Sequence, residues 1–209
     1  MTTRPILYHD PRSRGGTTAW MNEELGDVCE MRLIDLRAGA TQKPDYVALN
    51  PMAKVPTLTH DGIVVTEAAA ICAYLADSFA ERNLAPAITD PKRGEYYRWM
   101  FFAPSVIEPM MLDVLGNVTR ENAGSAGHGD PDRVMTTINK ALTREPYLLG
   151  DQFTAADVVM GSTLRFATMF GAIEKKGAIA DYLNRVMERP AFKSVEAKNA
   201  NWMQELNPS

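Results

Sequence analysis

The sequence predicts an α/β domain followed by an all-α domain. Three observations set that order. Two short apolar stretches flank a helical one, and a hairpin and a second helix follow, all within about the first 80 residues. A cluster of chain breakers comes next, with Asn83, Pro86 and Pro91 in "NLAPAITDP". Everything beyond it reads at helical period. The expected organisation is a first domain over 1–80, a linker at 81–89 and an all-α domain over 90–209.

Ile6-Leu7-Tyr8-His9 is short, apolar and bounded by Pro5 and Pro11, so it predicts the first strand. Trp20 to Leu25 reads as a helix that Gly26 stops. Cys29, Met31, Leu33 and Leu36 carry the next apolar positions, the first three at a period of two, which predicts a second strand. Lys43 to Leu49 predicts one or two helical turns. Val55 to Thr59 and Ile63 to Val65 flank a His60-Asp61-Gly62 turn and predict a hairpin. Thr66 then opens a helix whose Ala70, Ile71, Tyr74 and Leu75 share one face.

In the second half, Asp90-Pro91 is a helix start, with an N-cap followed by proline at the first helical position. Pro104 and Pro109 predict a kink in that helix. "ENAGSAGHGDP", Glu121 to Pro131, reads as a loop, and helices are expected over about 131–145, 154–171, 178–188 and 190–205.

Composition narrows the function classes. The 209 residues carry a net charge of -4, which gives no reason to expect a nucleic-acid partner. No apolar run reaches the roughly 18 residues that would span a membrane. "MTTRP" lacks the apolar core of a signal peptide, and two cysteines, Cys29 and Cys72, make no disulfide framework. The expectation is a cytoplasmic protein with reduced thiols. No His or Cys spacing suits a metal, so none is expected, and His9, His60 and His128 read as surface or structural residues.

Several motifs carry two readings. Val55-Pro56 starts a strand with a residue that donates no backbone hydrogen bond. It is either an edge-strand proline or a cis bond that leaves Val55's amide and carbonyl free to pair with a peptide-like ligand. Thr66-Glu67-Ala68 reads as an N-cap. The amides of 67 and 68 also suit a carboxylate, and the Glu67 side chain an ammonium, the two ends of an α-amino acid. Ser13, between the first strand and helix, is either a loop serine or a hydroxyl at a helix N-terminus, where a thiolate is favoured. Thr154 and Asp157 make a capping box whose role is folding. Tyr97 and Trp99 are either core or lining of a ligand cleft.

In their order along the chain, Ser13, "NPMAKVPTL", "TEAAAICAYLAD", the breaker cluster, "FTAAD" and "RPAFK" resemble the cytosolic glutathione S-transferase family over essentially the whole length. The resemblance implies a thioredoxin-like first domain (βαβ then ββα), an all-helical second domain, a homodimer and glutathione as cosubstrate, in a detoxifying transfer to a small hydrophobic electrophile. By position it implies that Val55 pairs with the cysteinyl part of glutathione and that Pro56 is cis. Glu67 and Ala68 would hold the γ-glutamyl end and Lys54 would lie near the glycyl end, while Ser13 would donate to the thiolate. Arg14 is the alternative activator. Many members carry serine where Ala68 stands, so the carboxylate would lose one hydroxyl donor here. Two rival readings are a glutathione-dependent disulfide reductase and a non-catalytic protein of the same fold.

Overall fold

In the computed structural model, which describes residues 3–206, four strands form one sheet. They are β1 (Ile6–His9), β2 (Glu30–Leu33), β3 (Thr57–His60) and β4 (Ile63–Thr66), in the spatial order β2-β1-β3-β4. β1 runs parallel to β2 and antiparallel to β3, and β3 pairs antiparallel with β4, Thr57 opposite Thr66. Helices α1 (Gly15–Glu24), α2 (Pro44–Leu49) and α3 (Ala68–Ser78) complete this thioredoxin-like arrangement. Successive strand side chains point to opposite faces. On one face Tyr8 meets Tyr46 of α2 and Val55, with Ile6, Ile34, Leu36 and Leu49 against them. On the other, Leu7 and Leu58 are fully buried, and α1 and α3 pack there on β1, β3 and each other.

Three expectations change in this region. α1 begins at Gly15, five residues before the Trp20 expected from periodicity. Gly15, Gly16, Thr17 and Thr18 are weak helix formers, but burial of the two threonines overrides propensity. Thr66 is the last residue of β4, so Glu67 rather than Thr66 occupies the N-cap of α3. The buried face of α3 is Ile71, Cys72, Leu75 and Ala76, and Ala70 is exposed. Met1 and Thr2 of the expected signal-free N-terminus lie outside the described residues.

The remaining helices are α4 (Lys92–Phe102), α5 (Glu108–Leu115), α6 (Pro131–Arg144), α7 (Ala155–Met169), α8 (Gly177–Met187) and α9 (Pro190–Leu206). α4 begins one residue later than expected, with Pro91 rather than Asp90 at its N-cap, and Asp90 accepts the Lys92 amide at 2.8 Å. The kink expected at Pro104 is a π-helical turn over Ala103–Ile107 joining α4 to α5. α7 is buried nearly all round and contacts α4, α5 and α8. By contact density the chain divides into Met1–Arg82 with Arg189–Ser209, and Asn83–Glu188. α9 therefore falls in the first unit, where it packs on α1. Its hold on α1 is polar as well as apolar: Arg189 donates twice to Glu24 at 2.7 Å, and Phe192 sits edge-on to Trp20 at 5.0 Å.

Candidate functional site

The loop after β1 is built around Asp10, which is fully buried. Its carboxylate accepts from the Arg12 amide at 2.8 Å, from the Arg12 guanidinium at 2.6 and 2.9 Å, and from the Leu36 amide at 3.0 Å. Burial pushes the Asp10 carboxyl up, but the Arg12 and Leu36 hydrogen bonds outweigh it and its pKa lies below the ordinary value. Arg12 also pairs with Asp35 at 2.6 Å. Its charge is thus committed to shaping the loop.

Ser13 and Arg14 follow directly. Arg14 is the N-cap residue of α1. Ser13 Oγ donates to the Asp10 carbonyl at 2.6 Å and accepts from the Gly15 amide at 3.0 Å. The hydroxyl lies beside the positive end of a ten-residue helix, where an anion is favoured. To donate to a ligand it must turn from the Asp10 carbonyl, a rearrangement of about 1 kcal/mol.

The Val55-Pro56 bond is cis, and Pro56 lies just before β3, which starts at Thr57. Among the described residues neither the amide nor the carbonyl of Val55 takes a hydrogen-bond partner. The preceding carbonyl is held firmly: Lys54 O accepts from Tyr46 OH at 2.7 Å and from Asn50 Nδ2 at 2.9 Å. Sequence reasoning gave Tyr46 and Asn50 no role, because their partner is a backbone atom 8 and 4 residues away. The Lys54 side chain is exposed.

Glu67 adopts φ 69° and ψ 121°, outside the regions a side-chain-bearing residue prefers. Such a conformation costs on the order of 1–3 kcal/mol and concentrates at ligand sites. No side chain caps α3, and among the described residues the amides of Ala68, Ala69 and Ala70 are unpartnered. The Glu67 side chain is exposed.

Other residues separate by environment. Trp99 is 2% exposed and Tyr97 39%. Trp99 lines a cavity of about 580 Å³ between α4 and α6, and Arg93 lies 4.7 Å over the Tyr97 ring. Thr154 and Asp157 form the expected capping box, the Asp157 carboxylate accepting the Thr154 amide at 2.9 Å. Burial pushes the Asp157 carboxyl up to about 6 against its hydrogen bonds from Leu148, Thr154 and Tyr182. His9, His60 and His128 are all buried, so none is a surface residue. Cys29 and Cys72 are buried too, and desolvation pushes the Cys29 thiol up to about 12, which leaves it inert as a nucleophile. Among the described residues no group of three or more His, Cys, Asp or Glu is placed to hold a metal ion.

Residues 5–77 match the family "Glutathione S-transferase, N-terminal domain" and residues 112–190 match "Glutathione S-transferase, C-terminal domain". The chain is 30% identical over 148 residues to glutathione S-transferase GstA of Escherichia coli, covering 70% of this chain and 74% of that protein. This chain belongs to the glutathione S-transferase family of enzymes. A ternary complex of BphK, a bacterial GST, is 26% identical with a TM-score of 0.77, covering 93% of this chain and 99% of that one. A glutathione transferase family member from Pseudomonas fluorescens, solved with two glutathione bound, shares the fold at a TM-score of 0.75 and 21% identity, covering 91% of each chain. Among the described residues of this family member, no helix is long and apolar enough to cross a membrane.

Proposed function

We propose that this glutathione S-transferase binds glutathione along Val55 and the start of α3 and directs its thiolate at a small hydrophobic electrophile. The observation that carries this reading is the unsealed start of α3, where three amides lack a partner among the described residues and Glu67 is held in a strained conformation. The γ-glutamyl carboxylate would take the Ala68 amide and the helix N-terminus, and its ammonium the Glu67 carboxylate. Val55 would pair backbone to backbone with the cysteinyl residue, next to Pro56. Lys54 would face the glycyl carboxylate. A thiol near pKa 8.5 is mostly protonated at neutral pH. The Ser13 hydroxyl and the α1 N-terminus both favour the thiolate, and Arg14 is the alternative source of that stabilisation. We assign Tyr97 and Trp99 to the electrophile site, Tyr97 offering an exposed ring. A homodimer acting in detoxification in the cytoplasm completes the reading.

Replacing Ser13 tests it. Ser13→Ala is expected to cut kcat for an aryl halide on the order of 10²-fold while glutathione affinity changes little. Unchanged turnover would move the role to Arg14 or to backbone amides. No binding of glutathione at millimolar concentration would leave a non-catalytic protein of this fold. A disulfide reductase is the second reading: the loop from Asp10 to Gly16 has no cysteine, so two glutathione would have to cooperate, and the Pseudomonas fluorescens relative holds two. Activity on hydroxyethyl disulfide without activity on aryl halides would select it.

A further inference from the structure

His9 is a buried polar residue that the proposed chemistry does not use. It closes β1, is fully buried, and points to the same sheet face as Leu7. Its Nε2 lies 3.1 Å from Asn199 Oδ1 on α9, and its ring meets Trp202 edge-on at 5.1 Å. Among the described residues its Nδ1 has no partner at hydrogen-bond geometry, though the Gly15 backbone lies beside it. That edge of the ring abuts the first residue of α1: a β-carbon on Gly15 would stand 2.6 Å from Nδ1 and 3.0 Å from Ser13 Oγ. Gly15 is needed here for space, since any side chain would strike the imidazole or the serine hydroxyl. The same Gly15 donates its amide to Ser13 Oγ at 3.0 Å.

We propose that His9 is a positioning residue for thiol activation: braced by Asn199 and Trp202 of α9, its imidazole holds Gly15, and through the Gly15 amide the Ser13 hydroxyl, at the start of α1. The proposal rests on Ser13 being the activating group. α9 is a firm backstop because it is tied to α1 independently, through Arg189 and Glu24 at 2.7 Å, Ser194 and Glu23 at 2.7 Å, and the Lys198–Glu23 ion pair. The groups facing the ring are Asn199 and Trp202 from α9, Gly15 from α1, and the neighbouring Asp10, whose charge is shared with Arg12. Burial, the largest influence, lowers the pKa of His9, although Asn199, Asp10 and the Gly15 backbone pull the other way. The ring is therefore neutral at neutral pH, and it acts by shape and hydrogen bonding, not by charge.

The test compares wild type with His9→Leu, Gly15→Ala, Asn199→Ala and His9→Gln. The readouts are the pKa of enzyme-bound glutathione, from thiolate ultraviolet absorbance, and the pH profile of kcat and KM. His9→Leu and Gly15→Ala are expected to raise the bound thiol pKa by about one unit and lower kcat at pH 6.5 about tenfold, with KM for glutathione within about twofold. Asn199→Ala shifts the thiol in the same direction by less. His9→Gln, which keeps an amide partner for Asn199, restores part of the shift. Folded variants with an unchanged thiol pKa and pH profile overturn the proposal, even if they melt earlier. If Ser13→Ala leaves the bound thiol pKa unchanged, the Ser13 reading itself fails and this proposal falls with it. A shift in Ser13→Ala without one in His9→Leu defeats the His9 proposal alone.

Discussion

Two helix starts in this chain use related residues to opposite ends. At α7, Thr154 and Asp157 close the helix: Asp157 is fully buried and accepts from the Thr154 amide at 2.9 Å, the Leu148 amide at 2.9 Å and Tyr182 OH at 3.0 Å. At α3, Glu67 stands at the N-cap without a side-chain cap bond, its side chain is exposed, and among the described residues the next three amides are left open. Both sites put an acid at a helix N-terminus, where the dipole favours it. The sealed one satisfies the fold's own donors. The open one stores backbone strain and leaves donors for an anion from outside.

The comparison breaks hardest at Asp157. Asp157→Ala leaves two buried amides and a buried tyrosine hydroxyl without their acceptor, and we expect a loss on the order of 3 kcal/mol or more in urea denaturation. A loss below about 1 kcal/mol would mean that the box is ornamental. Asp157→Asn sharpens the result through pH. The Asp157 pKa is raised to about 6, so the folded state binds its proton more tightly than the unfolded state does. The stability this supplies is present below the unfolded value near 3.8 and is lost as pH rises through about 6. Wild type should therefore lose stability relative to Asp157→Asn between pH 4 and 7. A gain over that range would reverse the assigned direction.

The open start is tested by filling it. Ala68→Ser adds a hydroxyl beside the unpartnered amides, and glutathione Kd should fall about tenfold by calorimetry. No tightening would mean that the γ-glutamyl carboxylate does not sit there. The smallest effect is expected from Glu67→Gly, which relieves the positive φ and should raise stability by up to about 1 kcal/mol. It also removes an exposed carboxylate from the proposed ammonium, so glutathione Kd should rise a few-fold. Tighter binding in that variant would contradict the pairing.

The limits of reading follow from the range of each interaction. The capping box was legible because its partners lie three residues apart in one helical turn. Val55-Pro56 was legible as an anomaly, since a proline at the head of a strand violates a local rule. Glu67's conformation was not legible: a positive φ at glutamate has no residue signature, and capping preference alone places the N-cap on Thr66, since threonine is the better capping residue. Nor was the early start of α1, where buried Thr17 and Thr18 outweigh two glycines.

By itself the sequence determined the order of elements, the break before the helical half, the α7 capping box and the family to which the chain belongs, because these depend on local period, turn chemistry and motif order. Tertiary structure alone decided that α9 packs on α1, that Asp10 and Arg12 shape the Ser13 loop, and that His9 meets Gly15 under the brace of Asn199. His9 and Asn199 are 190 residues apart, and no local preference of either residue encodes their meeting. Only the burial of one surface against another brings them within hydrogen-bond distance.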